Sequence, residues 1–202
     1  MYLPKQFNHP EHARSIILEN PFASLVSNDD EGFPFISHIP IKLMPHATDA
    51  QQDMLLGHVA KGNPHAGFLY KRPQVLLTFM GPQAYMSPAV YPDLIRVPTW
   101  SYVAVHVKAE VRILEGEEAK DSLLKQLIAD HEPAYAQQWR GLPETYTHPM
   151  MNAIVAFEMK LLEVQTKVKL NQHRPESHAA MHAAYDPGTN LKKLWPSGCG
   201  AS

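Results

Sequence analysis

The chain has 202 residues, which is enough for one domain with a hydrophobic core of its own. Its 45% hydrophobic and 19% charged residues, with a formal net charge of −2, exclude a disordered protein and a strongly basic nucleic-acid coat protein. The single cysteine, Cys199, excludes an internal disulfide and a four-thiolate zinc site, and favours an intracellular protein. The start of the chain lacks a signal-peptide pattern and no long apolar run follows, so we expect a soluble, cytoplasmic protein.

The first third of the chain predicts short strands that are separated by turns and by two short helices. Apolar residues at helical spacing after Pro10 predict a helix that ends before Asn20. Two extended segments on either side of a polar turn predict a β-hairpin. Asn63 and Pro64 are a typical cap and first-turn pair, so a second short helix should follow them. The predicted strands of this region cover 22–27, 33–39, 41–44 and 54–59.

The rest of the chain predicts longer elements. Strand 102–113 has apolar residues at its odd positions and polar residues at most even ones, which gives it a core face and an opposite face. Leucines at helical spacing predict an amphipathic helix over 117–131. Two adjacent leucines, Leu161 and Leu162, shift the apolar alternation of a last long strand and suggest a bulge. The other predictions are strands over 74–80 and 83–87 about Gly81 and Pro82, loops over 87–98 and 141–149, a helix over 133–139 and a strand over 152–170.

About seven strands with one longer amphipathic helix predict a mainly β fold, an antiparallel β-barrel with helical decorations. Strand and helix do not alternate regularly, which disfavours a parallel nucleotide-binding sheet. The last residues, 187–202, are rich in glycine and proline and should form a tail, with Leu194 and Trp195 as anchors.

The segment 57–65, GHVAKGNPH, is a candidate anion site. A strand ends there, small residues let the backbone approach a ligand, and Lys61 supplies a cation. The capped helix that follows should present free N–H groups to a phosphate. The alternative is a solvated lysine beside an ordinary capped helix.

Two further groups suggest ligand contacts. Trp100 and Tyr102 lie on the face of their strand opposite the valines, where they could stack on a flat ligand or form part of a dimer interface. Lys167 and Lys169 point to one side of the last strand, which suits a second anionic contact. A sheet edge protected by lysine is the commoner explanation of such a pair.

The histidines raise the question of a metal site. His9 and His12 are three residues apart and His178 and His182 are four apart, spacings that allow two histidines to share a metal. No acidic residue completes either pair at a useful local spacing, so we expect no metal site. Cys199 lies in the glycine-flanked tail, where nothing nearby would activate a thiol nucleophile.

Several blocks of the sequence together resemble the PaiB-like family, which is described as FMN-binding negative transcriptional regulators. The blocks occur in the expected order over residues 1 to about 175. They cover 1–4 (MYLP) with Phe7, 21–26 (PFASLV), 57–64 (GHVAKGNP), 87–106 (SPAVYPDLIRVPTWSYVAVH) and 167–174 (KVKLNQHR). In the last block, Asn171 and His173 replace the serine and asparagine that are usual in the family.

The resemblance implies an FMN-binding split barrel of the pyridoxamine-phosphate-oxidase type over 1–175, followed by a helical segment and tail over 176–202. It also implies a homodimer that holds FMN at the subunit interface. The strand that ends at His58, with Lys61 and Asn63, would contact the phosphate and ribityl chain, and Trp100 and Tyr102 would lie by the isoalloxazine. The expected cofactor-binding residues are His58, Lys61, Asn63, Thr99, Trp100, Tyr102, Lys169 and Gln172.

The chain is weakly acidic and shows no recognition helix, whereas a repressor that grips DNA by itself normally presents a basic face. We therefore expect negative transcriptional regulation that is indirect, through a partner or a metabolite. The alternative is an FMN-dependent oxidoreductase that acts on a small molecule, in which the redox chemistry belongs to the cofactor. A haem- or metal-binding relative that uses the histidines ranks below both.

Overall fold

A computed structural model describes residues 1–93 and 95–184. Seven strands form one antiparallel sheet, and the fold is mainly β, as predicted. The strands are β1 (Phe22–Asn28), β2 (Pro34–Pro40), β3 (Lys42–Met44), β4 (Met54–Ala60), β5 (Gln74–Met86), β6 (Thr99–Leu114) and β7 (Ile154–Lys169). The helices are α1 (Ala13–Glu19), α2 (Pro64–Lys71), α3 (Glu117–His131), α4 (Ala136–Gly141), α5 (Glu144–Asn152) and α6 (His178–Ala184).

The strand order is β2-β1-β5-β6-β7-β4-β3. The predicted hairpin is β1 and β2, which pair from Phe22 opposite Pro40 to Asn28 opposite Pro34. β4 pairs along its whole length with β7, so that His58 lies opposite Ala156. The sheet is open in this order, and β2 also contacts β4, an arrangement that a split barrel allows.

The chain divides into two compact units. The first unit comprises Met1–Asn20, Phe79–His106 and the residues from Gln165 onward, and the second comprises Pro21–Thr78 and Val107–Val164. The predicted boundary at residue 175 stays a prediction. The described part of the segment beyond it holds a short 3-10 turn (Pro175–Ser177) and α6. The predicted tail over 187–202, with Leu194, Trp195 and Cys199, lies outside the described residues.

The strongest periodic patterns are confirmed. In β6, Val103, Val105 and Val107 are completely buried, whereas Lys108 and Glu110 on the other face are exposed. α3 covers the predicted range and buries Leu123 and Leu127. In β7 the buried side chains change from odd to even positions between Leu161 and Thr166, which is the predicted change of register. Among the described residues, no helix is both long and apolar enough to cross a lipid bilayer.

Two predictions were wrong. The two short strands expected on either side of Gly81 and Pro82 are one strand, β5. A Cβ atom on Gly81 would lie 2.3 Å from Cγ2 of Val103, so the glycine permits close approach to β6 and does not end the strand.

The loop expected over 141–149 is largely α5. The helix contains Pro149 and buries Met151, which is the residue before its last. α5 also packs against α3, where His148 Nδ1 lies 2.5 Å from Glu117 Oε1. These tertiary contacts outweigh the local preference, which predicted a loop.

Candidate functional site

His58, Lys61, Asn63 and His65 lie where β4 leads into α2, and we call this region the β4–α2 corner. The predicted cap is confirmed, because Oδ1 of Asn63 accepts a hydrogen bond from the backbone N–H of His65 at 3.0 Å. The N–H of Ala66 donates to the Asn63 carbonyl at 3.0 Å. The expectation that the first turn presents free N–H groups is therefore wrong for these two positions, because the cap itself uses them.

A buried hydrogen-bond network holds the β4–α2 corner in place. His65 is completely buried, with Nε2 at 2.9 Å from the Ser27 hydroxyl and Nδ1 at 2.9 Å from the Ser37 hydroxyl. The side-chain amide of Asn63 donates to the same Ser37 hydroxyl at 3.0 Å. Burial lowers the pKa of His65, so the imidazole is neutral at pH 7. The network ties the cap of α2 to β1 and β2.

His58 and Lys61 supply polar groups that this network does not use. Nδ1 of His58 is buried and has no hydrogen-bond partner among residues 1–93 and 95–184, and burial lowers the pKa of this histidine. The Lys61 side chain is exposed and takes part in no ion pair among the described residues. A pocket of about 130 Å³ lies beside it, lined by Tyr70, Glu115 and Lys120 among others.

A second group of predicted residues meets in the first unit, and we call Tyr2, Thr99, Tyr102, Lys167 and Lys169 the lysine cluster. Nζ of Lys169 donates to the Thr99 hydroxyl at 2.6 Å and lies 5.9 Å from the centre of the Tyr102 ring. Nζ of Lys167 lies 5.3 Å from the same ring and 5.6 Å from the Tyr2 ring. It donates to the Tyr2 carbonyl at 3.0 Å. Two ammonium groups thus lie close to the same aromatic ring.

Trp100 and Tyr102, the two aromatic residues that were predicted to lie beside the flavin, have different surroundings. The Trp100 side chain is 54% exposed and contacts Tyr85 edge to face, with 6.0 Å between ring centres. Tyr102 is half-buried beneath the lysines. An exposed aromatic pair suits stacking or an interface, whereas Tyr102 serves as a cation–π partner.

Gln172 stabilises the turn after β7. Its amide donates to the Val168 carbonyl at 2.7 Å and accepts from the Leu170 N–H at 3.0 Å. Asn171 adopts a left-handed conformation with φ 59°, which asparagine tolerates better than most residues. The prediction that Gln172 contacts a cofactor stays a prediction, since its side chain already bonds within the protein.

One group of side chains is spaced to hold a metal. Atoms of His9, Glu11 and His12 lie within 4.8 Å of one another, so an acidic residue does complete this pair, contrary to expectation. Gln172 Nε2 lies 3.1 Å from His9 Nε2 and can only donate, which places the His9 proton on Nδ1. That N–H faces Glu11 Oε1 at 2.9 Å and lowers the pKa of Glu11. This hydrogen bond competes with a metal for both groups.

Sequence reasoning missed two residues of these sites. His65 lies in the candidate anion segment 57–65, but it was assigned no role of its own. Tyr2 lies in the family block 1–4, but no local pattern predicted its contact, because its carbonyl meets Lys167 only through the tertiary fold. His58, Lys61 and Asn63 belong to the second unit, whereas Thr99, Trp100, Tyr102, Lys169 and Gln172 belong to the first.

Solved structures with a similar fold define the class of protein. The flavocytochrome Anf3 from Azotobacter vinelandii aligns with a TM-score of 0.60 at 14% identity, over 80% of this chain and 68% of that one. A FAD and heme binding protein from Mycobacterium smegmatis aligns with a TM-score of 0.60 at 15% identity, over 80% and 72% of the two chains. At these identities the likeness shows the fold alone, which is compatible with the predicted split barrel.

The sequence comparisons identify the family. Residues 1–163 match the family model described as "Putative FMN-binding domain". The chain is 31% identical over 186 residues to the Bacillus subtilis (strain 168) protein named "Protease synthase and sporulation protein PAI 2", covering 88% of this chain and 84% of that protein. The chain therefore belongs to the PaiB-like family of FMN-binding proteins, as the sequence blocks predicted, and its cofactor is FMN.

Proposed function

We propose that this protein is an FMN-binding homodimer of the PaiB type that acts as a negative transcriptional regulator without binding DNA directly. The family match and the name of the Bacillus subtilis relative support a PaiB-like role. The net charge of −2 supports indirect regulation, because DNA affinity comes largely from phosphate contacts made by lysine and arginine. The protein would then act through a partner or a metabolite.

The β4–α2 corner is the proposed contact for the phosphate and ribityl chain of FMN. The observation that carries this assignment is the pair of uncommitted groups there, the exposed Lys61 ammonium and the buried, unpartnered Nδ1 of His58. Space at Gly62 is also open, since nothing lies within 4 Å of the position of a Cβ atom. These donors fit an anionic, hydroxyl-bearing chain, and the positive end of α2 favours the same charge.

When bound, FMN supplies a redox-active isoalloxazine, and the residues of this chain bind and orient it. Trp100 is the proposed residue beside the ring, because it is an exposed aromatic side chain on the non-core face of β6. Asn63 has a positioning role through the cap and the Ser37 hydrogen bond. The resemblance also assigns Thr99, Tyr102, Lys169 and Gln172 to FMN, but these residues belong to the first unit and are not part of the corner.

A second copy of the chain is proposed to complete the flavin site. The pocket of about 130 Å³ beside Lys61 is smaller than the roughly 300–1,000 Å³ of an ordinary ligand site, so the second unit alone does not enclose FMN there. The first unit exposes Met80, Tyr85 and Trp100, which are apolar or aromatic side chains of the kind found in dimer interfaces. Light scattering should therefore give the mass of a dimer, and a monomer that binds FMN tightly would contradict this part of the proposal.

The test is a titration of the purified protein with FMN, followed by quenching of flavin fluorescence. We expect saturable binding that Lys61→Gln weakens about tenfold, since a hydrogen bond to a charged group contributes roughly 1.5–3 kcal/mol. Lys160→Gln is the matched control, because Lys160 is also exposed and unpaired but lies near the other end of the β4–β7 pairing. If Lys61→Gln and Lys160→Gln bind FMN with equal affinity, the FMN phosphate does not contact Lys61.

The indirect role has its own readout. A gel-shift series over salt concentration should show no specific DNA complex with the FMN-loaded protein. A specific shift would overturn indirect regulation. Steady turnover of a reduced nicotinamide with an acceptor would instead establish the FMN-dependent oxidoreductase.

A further inference from the structure

The lysine cluster contains a buried positive charge that has no negative partner in the described part of the chain. Lys167 is only 8% exposed, and neither Lys167 nor Lys169 takes part in an ion pair with any described residue. Moving an ammonium out of water costs several kcal/mol unless a counter-charge or strong hydrogen bonds compensate. The partners present are one carbonyl, one hydroxyl and two aromatic faces.

These partners leave much of the hydrogen-bonding capacity of the cluster unused. An ammonium carries three N–H donors, and each lysine here makes a single hydrogen bond. The Thr99 hydroxyl accepts from Lys169, so its own proton is available for another acceptor. The two ammonium groups lie 5.3 Å and 5.9 Å from the centre of the same Tyr102 ring, and their like charges repel each other.

We propose that the lysine cluster is a binding site for a compact oxyanion with two negative charges, such as a phosphate monoester or a dicarboxylate, distinct from FMN. Two ammonium groups match a charge of minus two, and their remaining donors match several oxygen acceptors. Burial makes this attraction stronger than at an exposed site, because the surroundings screen charge less than water does. Such a site would allow the indirect regulator to sense a metabolite.

The charge of FMN supports a different ligand at the lysine cluster. FMN has a single phosphate, and the proposed corner in the second unit accounts for it. This assignment reinterprets Thr99, Tyr102 and Lys169, which the resemblance gave to FMN. It goes beyond the proposed function and depends only on residues of the first unit.

The experiment titrates the FMN-loaded protein with inorganic phosphate and, in a second series, with malonate. Binding is followed by calorimetry and by the rise in melting temperature, with sodium chloride added to hold ionic strength constant. We expect at least one of the two anions to bind saturably. Lys169→Gln should weaken that binding at least tenfold and change FMN affinity less than threefold.

Lys5→Gln is the control, because Lys5 is an exposed lysine of the same unit and is unpaired among the described residues. It should leave anion binding unchanged. Lys167→Gln should act like Lys169→Gln, and if it fails to fold, the more exposed Lys169 variant decides. If only one of the two anions binds, the site is still supported. The anion that binds then shows whether the ligand is a phosphate or a dicarboxylate.

Three results would overturn the proposal. Neither anion binds, or Lys169→Gln binds the anion as well as the unmodified protein, or Lys169→Gln loses FMN and phosphate displaces the flavin. The last result would mean that Lys167 and Lys169 belong to the FMN site. If the proposed function is wrong, the purified protein will not bind FMN. The anion titration can still be carried out on that protein, and its result supports or contradicts the anion site independently.

Discussion

The β4–α2 corner and the lysine cluster both present lysines that no carboxylate of the described residues pairs with, but the lysines differ in burial. Lys61 is exposed, so water solvates its charge whether or not a ligand binds. Lys167 is 8% exposed, so its charge needs a partner. An exposed lysine is therefore stable with or without a ligand, whereas a buried lysine is stabilised by one.

The two regions also differ in how they are held. Around the corner, the fully buried His65 joins two serine hydroxyls and is linked to the cap through Ser37, which fixes Asn63 before any ligand arrives. The cluster depends on Tyr2, whose side chain is 84% exposed and whose carbonyl receives the Lys167 hydrogen bond. A preorganised corner suits a resident cofactor, and a cluster bounded by an exposed segment suits a ligand that comes and goes.

The largest expected effect concerns the network behind the corner. His65→Leu removes both hydrogen bonds from buried serines and should lower the free energy of unfolding by about 3 kcal/mol, measured by urea denaturation. His38→Leu is the control, since His38 is exposed and bonds only to Ser24, and it should change stability by less than about 0.5 kcal/mol. A similar loss in the two variants would show that the network does not organise the corner.

The next effect is a dependence of stability on pH. Burial lowers the pKa values of His58 and His65 in the folded state, so the unfolded chain binds more protons once the pH falls below about 6.5. Stability is therefore full above that pH and is lost as the pH falls toward the lowered folded values. Each histidine contributes a slope of up to about 1.4 kcal/mol per pH unit.

Urea denaturation at a series of pH values from 8 to 5 measures this slope. His58→Asn should make it shallower, because one titrating group is gone. An unfolding free energy that stays constant over the whole range would contradict neutral, buried histidines at the corner.

The smallest change in the free energy of unfolding is expected at the lysine cluster, where the substitution should stabilise the protein. Lys167→Met keeps an unbranched apolar stem and removes the buried charge, so it should raise the free energy of unfolding by about 1 kcal/mol without added anion. Lys61→Met is the comparison and should leave stability unchanged, because the Lys61 charge is already in water. A marked loss of stability in Lys167→Met would make Lys167 a structural residue and end the contrast between the two regions.

Several features of the fold were predictable from local patterns. The alternation in β6 and the leucine spacing in α3 gave the correct elements, because burial of one face repeats with the geometry of a strand or a helix. The cap at Asn63 was predictable since the residue bonds to its own helix. The family blocks gave FMN, which no periodicity could supply.

Other features depended on residues far apart in the chain. Gly81 continues a strand because Val103 lies against it, and α5 tolerates Pro149 because it packs on α3. The acidic partner of His9 and His12 was overlooked for a different reason, since Glu11 lies between them in the sequence and only the turn brings its carboxylate to both rings.

By itself, the sequence determined a mainly β fold, its helix and strand periodicities, the capped turn after β4 and membership of an FMN-binding family. Only the tertiary structure decided that Lys167 is buried with a carbonyl and two rings, that His65 bridges two serines, and that His58 keeps a buried nitrogen without a partner. Periodicity reports which face of an element is buried, whereas the chemical partners of a side chain come from other parts of the chain that folding brings to it.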